Sequence, residues 1–503
     1  MTIMKETSNC IAPNKDMTAN SQGVARVTKQ AENTNTAYEE SAQSEGDSTA
    51  DNKNQMLTAP VFKLFIKMAM PIIIGLMING LYNFVDAIFI ARAVGTQAIG
   101  GVSAAFPVHM LLISFGAMMS SGMASMLSRQ LGAQHYHQAN AIFTSTLFFA
   151  LVMGILSSIL LIIFKEDIFG WMKLPLVLRS YAIDYIVPIA LFSGLSFCSG
   201  VVSDAFRAEG KTVLMMKVML ISSVLNVIFD AMFLFVFEWG VAGAAWATVS
   251  AIAISFAYSV RKLVTSEHQI RFEKKEFNWQ WQYNRRALGL GMPIFLSYTG
   301  YAVMLASVNF AIASVAEQNT DLLISAHGIF NRTFMLIFLP ILGMMIAFQT
   351  FAGFNYGARE YQRVVQVLKV AMLTCSSYAL CWTTFMLFNS QWLFQLFTSD
   401  QALIAAASEI SDIVLLGFVT VSIGMICPAL FQALGFAKPA VILNAFRTYL
   451  LLLPVLWAFS VNFGVSGIWW TFPAIDAIAS VIVAFYTYRF VKKVLLNPAK
   501  ELA

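Results

Sequence analysis

Long apolar runs alternate with short polar connections along most of this chain. Twelve such runs follow one another after about residue 58, and each is long enough to cross the roughly 30 Å hydrocarbon core of a bilayer as a helix. The predicted spans are 61–93, 99–131, 137–165, 177–207, 211–237, 242–264, 284–315, 321–356, 360–388, 400–434, 438–460 and 465–492. A membrane β-barrel would instead show short strands of alternating polarity. The pattern therefore predicts an all-α polytopic membrane protein with twelve transmembrane helices.

Composition supports lipid as the main solvent. Of the 503 residues, 58% are hydrophobic and only 12% are charged, whereas a soluble domain carries about a quarter charged residues. Residues 1–58 differ, because they are rich in Ser, Thr, Asn and Gln and contain no signal-peptide apolar core. We expect this segment to be a disordered tail.

Several classes of function lack their sequence signals. No long basic tract interleaved with aromatic residues indicates nucleic-acid binding, and no GxxxxGK[ST] loop indicates an ATP-driven pump. The five cysteines form no CxxC pair, so neither a disulfide framework nor a zinc site is expected. No arrangement of nucleophile, base and acid stands out that would indicate an intramembrane enzyme. We therefore expect that the protein is not an enzyme and needs no organic cofactor.

The polar connections alternate between cation-rich and cation-poor segments. The cation-rich set carries Arg129; Arg207 and Lys211; Arg261, Lys262, Arg271, Lys274, Lys275, Arg285 and Arg286; Arg359 and Arg363; Lys438; and Lys492 and Lys493. The positive-inside rule places these segments, both termini and the 1–58 tail in the cytoplasm. The longest connection, 265–284, would then be a cytoplasmic loop between an N-terminal lobe (59–264) and a C-terminal lobe (285–492), with the C-terminus at 493–503.

The two lobes also resemble each other in sequence. The matching segments, in order and at nearly constant spacing, are Met70-Pro71-Ile72 with Met292-Pro293-Ile294, Gly132-Ala133 with Gly357-Ala358, Phe206 to Gly210 with Phe431 to Gly435, and Gly240 to Gly243 with Gly464 to Gly467. Each half has six spans, so both halves start on the same side of the membrane. This indicates a parallel repeat, and transporters often bind substrate between such halves.

Ionisable residues inside membrane spans are costly and mark candidate functional sites. Asp86 lies seven residues before the predicted outer end of span 1, and Asp230 lies seven residues before that of span 5. Thr248 lies at a similar depth in span 6, about 10 Å below the helix end. Asn226 is one turn deeper than Asp230 on the same face. We therefore predict one coupling site formed by these four residues.

The chemistry of this predicted site suits two ions. Carboxylate, amide and hydroxyl oxygens are ligands for hard cations such as Na⁺, and two close desolvated carboxylates tend to share a proton. Asn79, Tyr82 and Asn83 form a supporting polar stripe beside Asp86 on span 1. Either Na⁺ or H⁺ could therefore be the coupling ion, and purely structural hydrogen bonding by Asp86 and Asp230 stays an alternative.

The second half does not repeat this cluster. The positions related to Asp86, Asp230 and Thr248 are Val308, Pro454 and Phe472. Its spans carry other polar residues instead, namely Asn309, Asn331, Arg332, Gln349, Arg447 and Asp476. Asp476 is the strongest candidate for contact with a cationic substrate, and Gln349 and Asn309 are further candidates. Ion coupling is expected in the N-terminal lobe alone.

The sequence resembles the MATE (multidrug and toxic compound extrusion) family over about residues 60–492. The residues that carry the resemblance are Pro71, Asn83 to Asp86, Arg129 to Ala133, Phe206 to Gly210, Asn226 to Asp230 and Gly240 to Thr248. The resemblance implies two six-helix lobes around a central cavity and a cation site on Asp86, Asn226, Asp230 and Thr248. It also implies that Pro71 marks a bend in the first helix.

The resemblance further implies Na⁺- or H⁺-coupled export of amphipathic, often cationic drugs across the bacterial inner membrane. We expect the protein to be a monomer. Some family members place acids on spans 7 and 10. Here Tyr301 lies near the first of those positions and is a possible substrate contact, and no carboxylate is assigned to the second. The alternative function is a lipid-linked oligosaccharide flippase of the same superfamily, which a cation-lined cavity would favour.

Overall fold

The long apolar runs form helices throughout the described chain. The computed structural model describes residues 55–172, 174–265, 268–270, 280–316 and 319–496, all within one compact unit, Asn54–Ala503. Helices α1 to α14 are, in order, Val61–Ala93, Thr96–Gly132, Tyr136–Trp171, Leu176–Leu191, Ser193–Ala208, Thr212–Ala231, Gly240–Thr265, Trp281–Val315, Thr320–Gly357, Tyr361–Gln395, Gln401–Val414, Phe418–Leu434, Ala437–Ala445 and Leu452–Phe490. Short π or 3₁₀ turns extend or join them at Met232–Val236, Leu415–Gly417, Phe446–Leu451 and Val491–Leu495.

These helices make twelve membrane spans within the described ranges. Helices α4 and α5 form one span bent by 55°, just past Pro188. The helical stretch Ala437–Leu495 is 59 residues long, about 88 Å, or nearly three times the apolar core of a bilayer. It is broken at Gly464, whose φ of 64° favours glycine. A Cβ on Gly467 would collide with the Phe459 carbonyl, because the chain reverses direction here. The predicted twelve-helix fold is therefore confirmed.

One predicted boundary differs from the structure, and the bend expected at Pro71 stays a prediction. Residues 55–58 form a helical turn, so the predicted tail boundary at residue 58 is too late. Arg363 fixes this segment, because its guanidinium donates to the Met56 carbonyl at 3.1 Å and to the Ala59 carbonyl at 2.6 Å. The rest of the predicted tail, 1–54, lies outside the described residues. The expected bend at Pro71 falls within α1, which runs from Val61 to Ala93 as one helix.

The sequence repeat is also present in the backbone. Three pairs of residues with positive φ occupy repeat-related positions: Gln134 (63°) with Arg359 (63°), Gly210 (82°) with Gly435 (92°), and Gly240 (62°) with Gly464 (64°). Each pair lies in a turn between two helices. Because the same unusual backbone conformation recurs at the same spacing, the two halves share one topology.

The two halves contact each other closely at one end of the bundle, which we call the arginine end because Arg129 and Arg207 lie there. A Cβ on Gly132 would collide with the Phe354 carbonyl, and one on Gly357 would collide with the Arg129 carbonyl. Phe354 and Arg129 are themselves repeat-related, so α2 and α9 make the same contact twice about a pseudo-two-fold axis.

Polar bonds also join the halves at the arginine end. The Arg207 guanidinium donates to the Thr350 hydroxyl at 2.9 Å, and the Arg129 guanidinium donates to the Ala433 carbonyl at 2.7 Å. The Ser125 hydroxyl donates to the Gln432 carbonyl at 2.5 Å. Both arginines thereby satisfy carbonyl or hydroxyl acceptors that would otherwise be buried without partners. The interface between the lobes is closed at this end.

Candidate ion site in the N-terminal lobe

Asp86 and Asp230 lie on packed neighbouring helices. Asp86 is on α1, seven residues before its end at Ala93, and Asp230 is near the end of α6. Asp230 is fully buried and Asp86 is half-buried. The Oδ1 atom of each carboxylate is buried without a hydrogen-bond partner in the described part of the chain. A buried carboxylate oxygen without a partner is unfavourable, so this site is suited to take up a cation or a proton.

Asn226 connects Asp230 to Thr248. In the amide orientation that satisfies both neighbours, Asn226 Nδ2 donates to Asp230 Oδ2 at 3.1 Å, and Asn226 Oδ1 accepts from the Thr248 hydroxyl at 3.1 Å. Thr248 lies on α7, which packs against α6. Three helices thus contribute the four residues of the predicted coupling site, and the structure brings them together.

Two tyrosines complete the surroundings of the carboxylates. Tyr82 of α1 and Tyr185 of α4 lie near both Asp86 and Asp230. The sequence reasoning missed Tyr185, although it lies nine residues into span 4, about 14 Å from the helix start and thus near the depth of the carboxylates. Its ring packs edge-on against the His109 ring of α2, with centroids 6.0 Å apart.

The three residues of the predicted polar stripe on span 1 differ in their surroundings. Tyr82 lies near both carboxylates. Asn83 is exposed, and its side-chain amide donates to the Asn79 carbonyl one turn away at 2.7 Å. Asn79 itself is half-buried. Asn83 therefore satisfies the backbone of its own helix and belongs to the edge of the cluster.

The donor set of the cluster is made of oxygen atoms. It offers two carboxylates, an amide and hydroxyl groups, and no Cys or His side chain is among these donors. No group of three or more His, Cys, Asp or Glu residues with metal-site geometry occurs in the described ranges. Oxygen donors with two charges suit a monovalent hard cation or a shared proton.

In the C-terminal lobe, Asp476 forms an ion pair with Arg447. Arg447 Nε donates to Asp476 Oδ1 at 2.6 Å, and Nη2 approaches the same oxygen at 2.5 Å. Asp476 is 4% exposed. Arg447 lies in the π turn between α13 and α14, and such turns are frequent at functional sites. The positive charge of Arg447 thus neutralises the buried Asp476 carboxylate. This ion pair leaves Asp476 little access to a cationic substrate.

Removing the Arg447 charge is expected to destabilise the fold. In Arg447→Gln, the buried Asp476 carboxylate would lose its partner, which costs up to about 3 kcal/mol. The thermal transition of the detergent-solubilised variant should fall clearly below that of the wild type. The double variant R447Q/D476N should recover part of the loss, because neither charge is then buried alone. An unchanged transition for R447Q would contradict a stabilising role of the pair.

The other predicted contacts of this lobe are engaged in internal hydrogen bonds. Gln349 is buried at the arginine end, where its amide donates to Gln432 Oε1 at 2.8 Å. Asn309 Oδ1 lies 3.3 Å from His327 Nδ1. The Tyr301 hydroxyl accepts from the Asn331 amide at 2.8 Å.

No carboxylate was assigned to the family's acidic position on span 10, yet this span contains two. Helix α11, the first part of this span, carries Glu409 and Asp412. Asp412 Oδ1 accepts from the Ser390 hydroxyl of α10 at 3.5 Å, and Glu409 is exposed. Both were overlooked because they lie in a segment that reads as generally apolar. Neither residue takes part in the cluster around Asp86.

Comparison with known proteins identifies the family. A family model described as MatE matches residues 71–232 and again residues 293–458, which together make up more than half of the chain. The chain belongs to the MatE family of transporters. The two matches begin at Pro71 and Pro293, the prolines that the internal repeat aligns. This member of the MatE family is thus a membrane transporter and not an enzyme.

Curated relatives of this MatE protein are named as drug exporters. The multidrug export protein MepA of Staphylococcus haemolyticus is 22% identical over 440 residues, covering 87% of this chain and 96% of the relative. The probable multidrug resistance protein YoeA of Bacillus subtilis is 22% identical and covers 84% and 92% of the two chains. An outward-facing structure of a multidrug resistance MATE family transporter superposes with a TM-score of 0.82 at 22% identity, covering 87% and 97%. That likeness supports the fold.

Proposed function

We propose that this MatE protein is a secondary active antiporter that exports amphipathic organic compounds against an inward flow of H⁺ or Na⁺. The observation that supports it best is the pair of buried, unpartnered Oδ1 atoms on Asp86 and Asp230. An ion bound there would neutralise the carboxylates and alter the balance between two arrangements of the lobes. Export requires that ion and substrate favour opposite arrangements.

The ion is proposed to bind through Asp86, Asn226, Asp230 and Thr248. Asn226 already holds Asp230 and Thr248 together through its two amide atoms, which leaves one oxygen of each carboxylate for the ion. Tyr82 and Tyr185 lie beside the pair. Because Val308, Pro454 and Phe472 stand at the related positions of the C-terminal lobe and Asp476 is paired with Arg447, one lobe is proposed to carry the ion coupling.

The hypothesis of a drug exporter is favoured over that of a lipid-linked oligosaccharide flippase. A pyrophosphate substrate would call for several unpaired cationic side chains in the cavity. Of the two arginines deep within spans, Arg447 is bound to Asp476, which leaves Arg332 as a single candidate. Curated relatives named as multidrug exporters also support this choice.

Efflux from proteoliposomes tests the proposed function. Purified protein would be reconstituted with several fluorescent dyes inside the vesicles, and Na⁺ and pH gradients would be imposed separately. Dye movement should follow at least one of the two gradients and should stop when that gradient is collapsed. Dye movement that follows neither gradient would contradict ion-coupled antiport.

The proposed topology places the arginine end in the cytoplasm of a bacterial cell. Gln134 lies in a turn at this end, and Glu238 lies in a turn at the opposite end; both have positive φ, so a cysteine meets similar strain at each. In a background without native cysteines, E238C should react with a membrane-impermeant maleimide in intact cells. Q134C should react after permeabilisation only. The reverse pattern of labelling would contradict the orientation.

A further inference from the structure

The first half of α9 presents one exposed stripe. Its exposed residues are Asp321, Ser325, Gly328, Arg332 and Met335, and their alternating spacing of four and three residues places them on one face of the helix. From residue 336 to residue 357, no residue of α9 is exposed, because α1 and α2 cover the helix as it approaches the arginine end. The stripe therefore opens away from the closed end.

Water, and not lipid, is expected beside this stripe. Four of its five residues are polar, charged or glycine. In contrast, the exposed residues along the middle of α3 are Phe148, Leu151, Val152, Ile155, Leu156, Ile159, Leu160, Ile163 and Phe164, as lipid contact requires. Arg332 lies twelve residues into α9, about 18 Å from its start. A guanidinium facing lipid at that depth would be strongly unfavourable, so a water-filled space is expected beside it.

The space around Arg332 is open and its charge is not paired. A Cβ on Gly328, one turn before Arg332, would meet no atom within 4 Å. No carboxylate within the described ranges lies within 4.0 Å of the Arg332 guanidinium, whereas Arg207 and Arg447 each have one. The neighbouring Asn331 is already bonded to Tyr301. The guanidinium is thus exposed and unpaired within the described ranges, with open space one helical turn away at Gly328.

We propose that Arg332 binds an anionic group, most directly a carboxylate, on the exported compound. A guanidinium offers paired donors that match the two oxygens of a carboxylate. Amphipathic compounds that carry a carboxylate beside their cationic group are the substrates that this contact would favour. This inference rests on the proposed export function.

A matched pair of dyes tests the proposal. A rhodamine that carries a free carboxylate and its methyl ester differ by one negative charge and share the same ring system. Export of each would be measured from proteoliposomes with wild-type protein, Arg332→Gln and Arg332→Lys. The readout is the ratio of acid export to ester export at equal dye concentration. Asp167→Asn, which removes an exposed carboxylate at the end of α3, serves as the control for general effects.

The wild type should export both dyes. In R332Q the acid-to-ester ratio should fall about tenfold, since one charge-assisted bidentate contact is lost, and R332K should show an intermediate ratio. D167N should keep the wild-type ratio. An unchanged ratio in R332Q, or a wild type that exports the ester alone, would overturn this inference and leave the proposed function standing. A wild type that exports neither dye under any ion gradient would count against the proposed function itself.

Discussion

Replacing Asp86 with Asn is expected to reduce ion-coupled export to background while the protein still folds and inserts. The substitution keeps the shape of the side chain and removes its charge. Asp86 Oδ1 is buried without a partner. The substitution therefore removes a charged ligand for the ion and breaks no hydrogen bond made by that oxygen. Dye efflux by cells and by proteoliposomes measures the loss, and size-exclusion chromatography in detergent checks the fold.

The matched controls separate coupling from general damage. Asp230→Asn should give the same loss, and D86N/D230N should be no worse than either single variant, because residues that act as one unit are not additive. D167N, which alters an exposed carboxylate outside the cluster, should export at the wild-type rate. Full export by D86N would show that the Asp86 carboxylate is dispensable for coupling.

A disulfide across the lobe interface is expected to stop export reversibly. A Cβ on Gly353 of α9 would lie 3.5 Å from the Ser128 Cβ of α2, which is within the range found in disulfides. In a background without native cysteines, S128C/G353C should therefore cross-link under mild oxidation. The two lobes would then be held together at the arginine end, and the arrangement open to that side could not form.

The single variants and the reductant provide the controls for this experiment. S128C and G353C alone should respond to neither oxidant nor reductant, and reductant should restore export by the double variant. The fraction of cross-linked protein, measured by accessible thiols, should parallel the loss of export. Undiminished export by fully cross-linked protein would mean that the lobes do not separate at this end during transport.

Hydropathy predicted the helices well for a physical reason. A bilayer fixes the length of each span, so the apolar runs give both the number of helices and their approximate ends. The first predicted span agrees with α1 at both ends. The repeat could also be detected in the sequence, because turns with positive φ, such as those at Gly210 and Gly435, favour glycine.

The cluster around Asp86 was predictable because depth can be counted along a helix. Asp86, Asp230 and Thr248 each lie about seven residues from the predicted outer end of a span, and the structure places them together. Tyr185 could not be predicted as part of the cluster, because tyrosine is common in spans and its neighbours depend on how α4 packs. The ion pair between Asp476 and Arg447 could not be predicted either, because the two residues lie 29 positions apart and meet only through tertiary packing.

The closed interface between the lobes was invisible in the sequence. Gly132 and Gly357 were noticed as repeat markers, but their close approach to the Phe354 and Arg129 carbonyls follows from the assembly of the two halves. Sequence matching alone gives no relative placement of the lobes. The repeat does explain the contact afterwards, because two related surfaces that meet about an axis must present the same residues to each other.

Direct measurement of ion movement tests the central claim that Asp86 and Asp230 couple export to an ion. Proteoliposomes would contain a pH-sensitive or Na⁺-sensitive dye, and a transported compound would be added on one side without any imposed ion gradient. The wild type should move H⁺ or Na⁺ in the opposite direction to the compound, and D86N and D230N should move neither. Compound-driven ion flux in D86N equal to that of the wild type would contradict this account.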